Sequence, residues 1–163
     1  MRKFVVVLTT LSALYFSAQV TRGCGDKTMR VGGGLRYLQL KAKKNPSAIL
    51  IHAIAFPDGK AARLHKFLNA VGHKATLFDN SVQISEVLKA THYDIILTDL
   101  GAAPELQNLV ATVSPRTVVV PVTSKSNAAA AAKQYKVIVK NPEYAEDFLK
   151  PVSQVMKARA KKV

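Results

Sequence analysis

His52, Asp99, Thr123 and Lys140 are the residues whose types and positions could do chemistry. Each closes an apolar run of the chain. A carboxylate, a hydroxyl and an ammonium group brought to one place could bind a small anion or a partner's side chain, because they offer charge, donors and acceptors together. The competing reading is an Asp99–Lys140 pair that only stabilises loop ends. His52 adds an imidazole nitrogen of the kind that suits zinc or copper, but no ligand set accompanies it: His65, His73 and His92 are scattered along the chain. A satisfied histidine at a strand end is the plainer reading. No Gly-x-Ser-x-Gly occurs, so Ser81, Ser85, Ser114 and Ser124 have no nucleophile elbow. Gly32-Gly33-Gly34 is not followed by Gly-Lys-Ser/Thr, and Gly59-Lys60 lacks both the earlier glycine and the hydroxyl residue of a phosphate loop. The sequence therefore points to no catalytic residue, no metal and no cofactor, and to a non-enzymatic chain.

These four residues need strands to carry them. Residues 48–55 form a short apolar run, read as a buried strand. Pro57-Asp58-Gly59 follows, and Asp58 can cap a helix. Residues 60–71 place Ala61, Leu64, Phe67, Leu68 and Val71 at helical spacing before Gly72. Strands are then predicted over 74–78, 94–100, 116–123 and 135–139, and helices over 82–91, 104–113, 127–134 and 145–159. Five strand–helix repeats predict an α/β fold with a parallel sheet covered on both faces, since its strands are continuous apolar runs rather than alternating ones. The expected strand order is 2-1-3-4-5, doubly wound and flavodoxin-like, with a crevice at the carboxy ends of the first and third strands. That crevice is where His52, Asp99, Thr123 and Lys140 would meet.

The beginning of the chain reads differently. Arg2 and Lys3 precede the apolar stretch 4–18, and a polar segment with small residues ends at Gly23. This is the pattern of a signal peptide over residues 1–23, which implies export to the periplasm or the cell exterior. Cys24 would then begin the mature chain. It is the single cysteine, so no internal disulfide can form. Its position makes it a lipidation candidate and the only route by which this reading reaches a membrane, although Val20-Thr21-Arg22-Gly23 fits the lipoprotein pattern poorly. Residues 24–47 read as an extension, with 41–46 as linker, and residues 48–163 as one domain. Losing Arg2, Lys3 and Arg22 with the leader lowers the formal net charge from +14 to +11. In an exported protein such charge favours a protein partner or an anionic envelope surface. Nucleic acid is not expected: the basic residues are dispersed, there is no tryptophan, and no aromatic interleaving suits single strands.

Taken together, Tyr93-Asp94-Ile95-Ile96-Leu97-Thr98-Asp99-Leu100, Gly72-His73-Lys74-Ala75, the segment from Val119 to Ser124, and Lys140 resemble the receiver domain of bacterial response regulators, CheY-like in element order. The resemblance spans about residues 48–160. It implies that Asp99 stands in the phosphoacceptor position, Thr123 in that of the switch hydroxyl, and Lys140 in that of the lysine after strand five. It also implies a partner surface on the fourth-helix to fifth-strand face, near residues 123–135. Asn141 separates Lys140 from Pro142, where the family has Lys followed directly by Pro. A second departure is at the end of strand one, where the family's two acidic magnesium ligands are replaced by Ala53 and Ile54. Magnesium takes hard oxygen donors in octahedral array. The expectation is thus a degenerate receiver, a binding or interaction module unable to perform magnesium-dependent phosphoryl transfer. The alternatives are a small-anion or ligand-binding protein using the four-residue pocket, and a phosphorelay acceptor working at Asp99.

Overall fold

A computed structural model describes residues 42–57 and 59–160. The leader, Cys24, the Gly32–Gly34 run and the expected cap Asp58 lie outside the described residues. The chain runs β1 (Ala48–His52), α1 (Lys60–Ala70), β2 (Lys74–Phe78), α2 (Ser81–Ala90), β3 (Ile95–Asp99), α3 (Ala103–Val113), β4 (Val118–Thr123), α4 (Ala128–Gln134), β5 (Val139–Lys140) and α5 (Leu149–Ala160), with 3-10 turns over Ala53–Ala55 and Ala145–Phe148. The five strands form one sheet in the order β2-β1-β3-β4-β5, and every pairing is parallel. The fold is α/β and flavodoxin-like, as the alternation of strands and helices predicts.

The two-residue period of the strands sorts the core into two layers. Ile49, Ile51, Ile95, Leu97, Val120 and Val139 face α1 and α5, whose Leu64, Leu68, Val152 and Val155 complete that layer. Leu50, Ile96 and Val119 face the other way, against Ile84 and Leu88 of α2, Leu106 and Val110 of α3, and Tyr135 after α4. Each fully buried aliphatic side chain contributes about 1.5–3 kcal/mol relative to exposure. Interior strands need such side chains on both faces, which is why 95–97 reads Ile-Ile-Leu without a polar break.

Three strand and helix boundaries depart from expectation, each for a physical reason. Strand one ends at His52, and Ala53–Ala55 turns as a 3-10 helix that leaves Ile54 66% exposed. An apolar run alone does not distinguish a strand from a tight turn. Strand five is only Val139–Lys140, not 135–139. Pro121 explains this. Val118 donates its N–H to Asp94 of the β3 side and Thr123 accepts from Asn141 of the β5 side. Since N–H groups alternate along a strand, residue 121 faces β5, and proline has none to give. The ladder therefore cannot extend back towards residue 137. The last predicted helix, 145–159, divides into the turn Ala145–Phe148 and α5.

The expected linker also has structure. Residues 42–44 are helical and Ala42 is 3% exposed. Lys43 lies so close to Gly72 that a Cβ there would stand 2.8 Å from Lys43 Cγ, and Gly72 has φ +105. Glycine is required at that turn on both counts. Gly59, with φ +69, holds the N-cap position of α1. Among the described residues no helix is long and apolar enough to cross a membrane.

Candidate functional site

The sheet register brings the backbones of His52, Asp99, Thr123 and Lys140 to the same end of neighbouring strands. Ile51 pairs with Leu97, Asp99 with Val122, and Thr123 with Lys140. Their side chains then take separate directions.

His52 is 2% exposed, and its Nδ1 lies 3.0 Å from Thr98 Oγ1 on the adjoining strand. Thr98 Oγ1 in turn donates to Asp99 Oδ1 at 3.4 Å. Together these two contacts determine the tautomer. A carboxylate only accepts, so the single hydroxyl proton of Thr98 goes to Asp99, and His52 must donate from Nδ1. Its Nε2 is then a bare lone pair, buried and without a hydrogen-bond partner. Burial pulls the His52 pKa below its usual value, against the opposing pull of the Asp99 and Glu105 carboxylates. The ring is held neutral, as the bare Nε2 requires.

Asp99 is half-buried and turned onto its own loop. Its Oδ2 accepts the N–H of Gly101 at 2.9 Å and of Ala102 at 3.3 Å, leading the chain into α3. A Cβ at position 101 would stand 2.9 Å from that oxygen, so Gly101 is what permits the approach. Thr123 is 6% exposed and donates to the carbonyl of Ser124 at 3.3 Å. Lys140 is exposed, and among the described residues no ion pair joins it to Asp99. Asn141 follows with φ 41, a left-handed conformation that asparagine tolerates, and its N–H donates to the Thr123 carbonyl at 2.7 Å. This turn is the structural content of the Lys140-Asn141-Pro142 departure.

Among the described residues, the oxygen donors needed for magnesium do not gather here. Ala53 and Ile54 occupy the turn after β1, and among the described residues no group of three or more His, Cys, Asp or Glu side chains could hold a metal ion. What the sequence reading missed is Thr98, the link between His52 and Asp99. Strand pairing was the available signal, since position 98 lies opposite position 52 once 51 pairs with 97.

Lys140 instead lines a groove of about 740 Å³ at the β5 edge, between the end of α4 and α5, with Tyr135, Lys136, Tyr144 and Lys150 among its walls. The Asp147 carboxylate in this groove is occupied by the N–H groups of Glu143 and Tyr144, at 2.9 and 3.0 Å. Three lysines, Lys136, Lys140 and Lys150, stand here against the two carboxylates Glu143 and Asp147, so the groove is only slightly basic.

A serine, a histidine and an aspartate also meet, at the opposite end of the sheet. Ser114 Oγ lies 3.4 Å from His92 Nδ1, and His92 Nε2 lies 3.7 Å from Asp94 Oδ1. The protons run the wrong way for a nucleophile. Thr117 donates to the Tyr93 carbonyl at 2.6 Å, so the Ser114 proton goes to Thr117 at 2.8 Å, and His92 must donate to Ser114. A catalytic base accepts that proton instead.

No protein-family model matches the chain, and no curated protein matches it.

Proposed function

We propose that this chain is an exported, non-enzymatic, receiver-like interaction module that engages a protein partner through the groove at the β5 edge. The groove is the single observation that carries the reading. It lies on the α4–β5–α5 side and presents Lys136, Lys140 and Lys150 beside Tyr135 and Tyr144. Amphipathic rings and cations in one concavity suit an acidic, partly aromatic or aliphatic segment. The +11 formal charge that remains once Arg2, Lys3 and Arg22 leave with the leader adds long-range attraction for such a partner. Export rests on the pattern of residues 1–23, and Cys24 remains the candidate for a lipid tether.

Phosphoryl transfer is left out of the proposal because of Ala53 and Ile54. Transfer to a carboxylate requires the developing charge to be neutralised, ordinarily by magnesium. Asp99 alone, engaged with Gly101 and Ala102, offers little for the ion. Incubation with beryllofluoride and magnesium should leave the amide spectrum around Asp99 unchanged; a specific shift there would restore the phosphoacceptor reading.

The interaction itself is tested with a glutamate-rich peptide and a neutral peptide of equal length, titrated into the labelled chain. Amide shifts from the acidic peptide should centre on β5 and the start of α5, and weaken at least tenfold in the Lys140→Glu, Lys150→Glu double variant. Shifts centred on His52, Asp99 and Thr123 would favour the small-anion pocket instead, and equal response to both peptides would remove charge as the basis of recognition.

A further inference from the structure

The amino end of the sheet holds a small, partly open recess of about 30 Å³, between the start of β1 and α5. Its walls combine apolar Leu149, Val152 and Met156 with polar Ser47, His73 and Ser153. Two of those polar groups are unpaired: Ser47 Oγ and Ser153 Oγ are both buried without a hydrogen-bond partner. Ser47 is 0% exposed. Its backbone is fully engaged, with the N–H donated to His73 Nδ1 at 3.3 Å and the carbonyl accepting from Lys74 at 2.9 Å. Only its hydroxyl is left over.

We infer that this cavity is a binding site for internal water, one or two molecules bridging Ser47 Oγ and Ser153 Oγ. Its size fits, since a cavity of roughly 10–15 Å³ or more can hold a buried water where two to four polar partners are at hand. His73 also lines the recess, and its tautomer is fixed. A backbone N–H can only donate, so His73 Nδ1 is unprotonated and the ring proton sits on Nε2. Burial lowers the His73 pKa and keeps the ring in that neutral form. Asn45 supplies a further amide at the wall. Without water, two hydroxyls would be buried at the full cost of their desolvation. The apolar remainder of the lining limits the occupant to something this small and uncharged. The water would tie residues 42–47, where the chain enters the domain, to α5, where it leaves.

The rival is a hydroxyl of Ser153 that rotates back to the carbonyl of Leu149 one turn earlier, which serines in helices can do. Oxygen-17 relaxation dispersion on the whole chain separates the two, because it counts long-lived internal water and ignores labile hydroxyl protons. The dispersion step should fall by the equivalent of one or two waters in the Ser47→Ala, Ser153→Ala double variant. The same loss should appear with Ser153→Val, which fills the space with a methyl group. An unchanged step in either folded variant overturns the inference. A high-resolution crystal structure of the unaltered chain needs no variant: density within hydrogen-bond distance of both hydroxyls supports the site, and an empty cavity overturns it.

Discussion

The two ends of the sheet are built on different principles. At the amino end, polar side chains hold one element of the fold to another. Asp94 accepts the Ala48 N–H at 2.8 Å through Oδ2 and pairs with Arg159 of α5 through Oδ1. Asn69 of α1 both accepts from and donates to the backbone of Ala75 on β2, at 3.0 and 3.2 Å. At the carboxy end, Asp99 reaches only two and three residues ahead, and Thr123 only one. The contact from His52 to Thr98 does cross strands, but it leaves a nitrogen unpaired. Two aspartates five positions apart on the same strand segment thus have opposite weight: one fastens the domain, the other shapes a loop. An end of the sheet held by local contacts can be remodelled by a partner without unfolding the rest.

Substitution at each end should expose the difference. Asp94→Ala should have the largest effect, a loss of about 2–4 kcal/mol in urea unfolding, because it strands the Ala48 N–H and leaves the partly buried Arg159 without its carboxylate. Asn69→Ala should cost about 1–2 kcal/mol by the same measurement, since both backbone groups of Ala75 lose a partner. Asp99→Ala should cost no more than about 1 kcal/mol, because the Gly101 N–H it releases is exposed and can be rehydrated. Equal losses for Asp94→Ala and Asp99→Ala would remove the distinction.

The smallest effect is in pH. His52 and His73 both have pKa values lowered by burial, one at each end. The unfolded chain therefore binds their protons more readily than the folded one. Their contribution to stability is complete above the ordinary histidine pKa of about 6.5 and is lost as pH falls below it through the lower folded values. His73→Gln and His52→Gln should each flatten that slope, since burial lowers both rings. A slope unchanged by either substitution in a pH series of denaturation curves would mean that the ring at that end is not sealed from protons.

Much of this architecture is legible in the chain itself. Runs such as 94–100 and 116–123 have the length and β-branching of buried strands, and their alternation with amphipathic helices leads to the observed order. What is not legible depends on distance in sequence. The contact of Asp94 with Arg159 crosses 65 positions, and no local spacing encodes it. The four-residue pocket has the opposite history. Strand ends can be placed from pattern, so His52, Asp99, Thr123 and Lys140 do share one end of the sheet. Rotamers and loop turns decide where side chains point, and these send Lys140 to the β5 groove while Asp99 folds onto Gly101. The shortness of β5 was in principle readable from Pro121, provided its facing was known.

Pro121 has a consequence for how the chain behaves in company. A sheet edge is a template on which another chain can crystallise a strand of its own, and long bare edges invite fibres. Here the β5 edge is cut to two residues, one of them a lysine. That side of the sheet offers almost nothing to copy, so the groove beside it can stay open without courting aggregation.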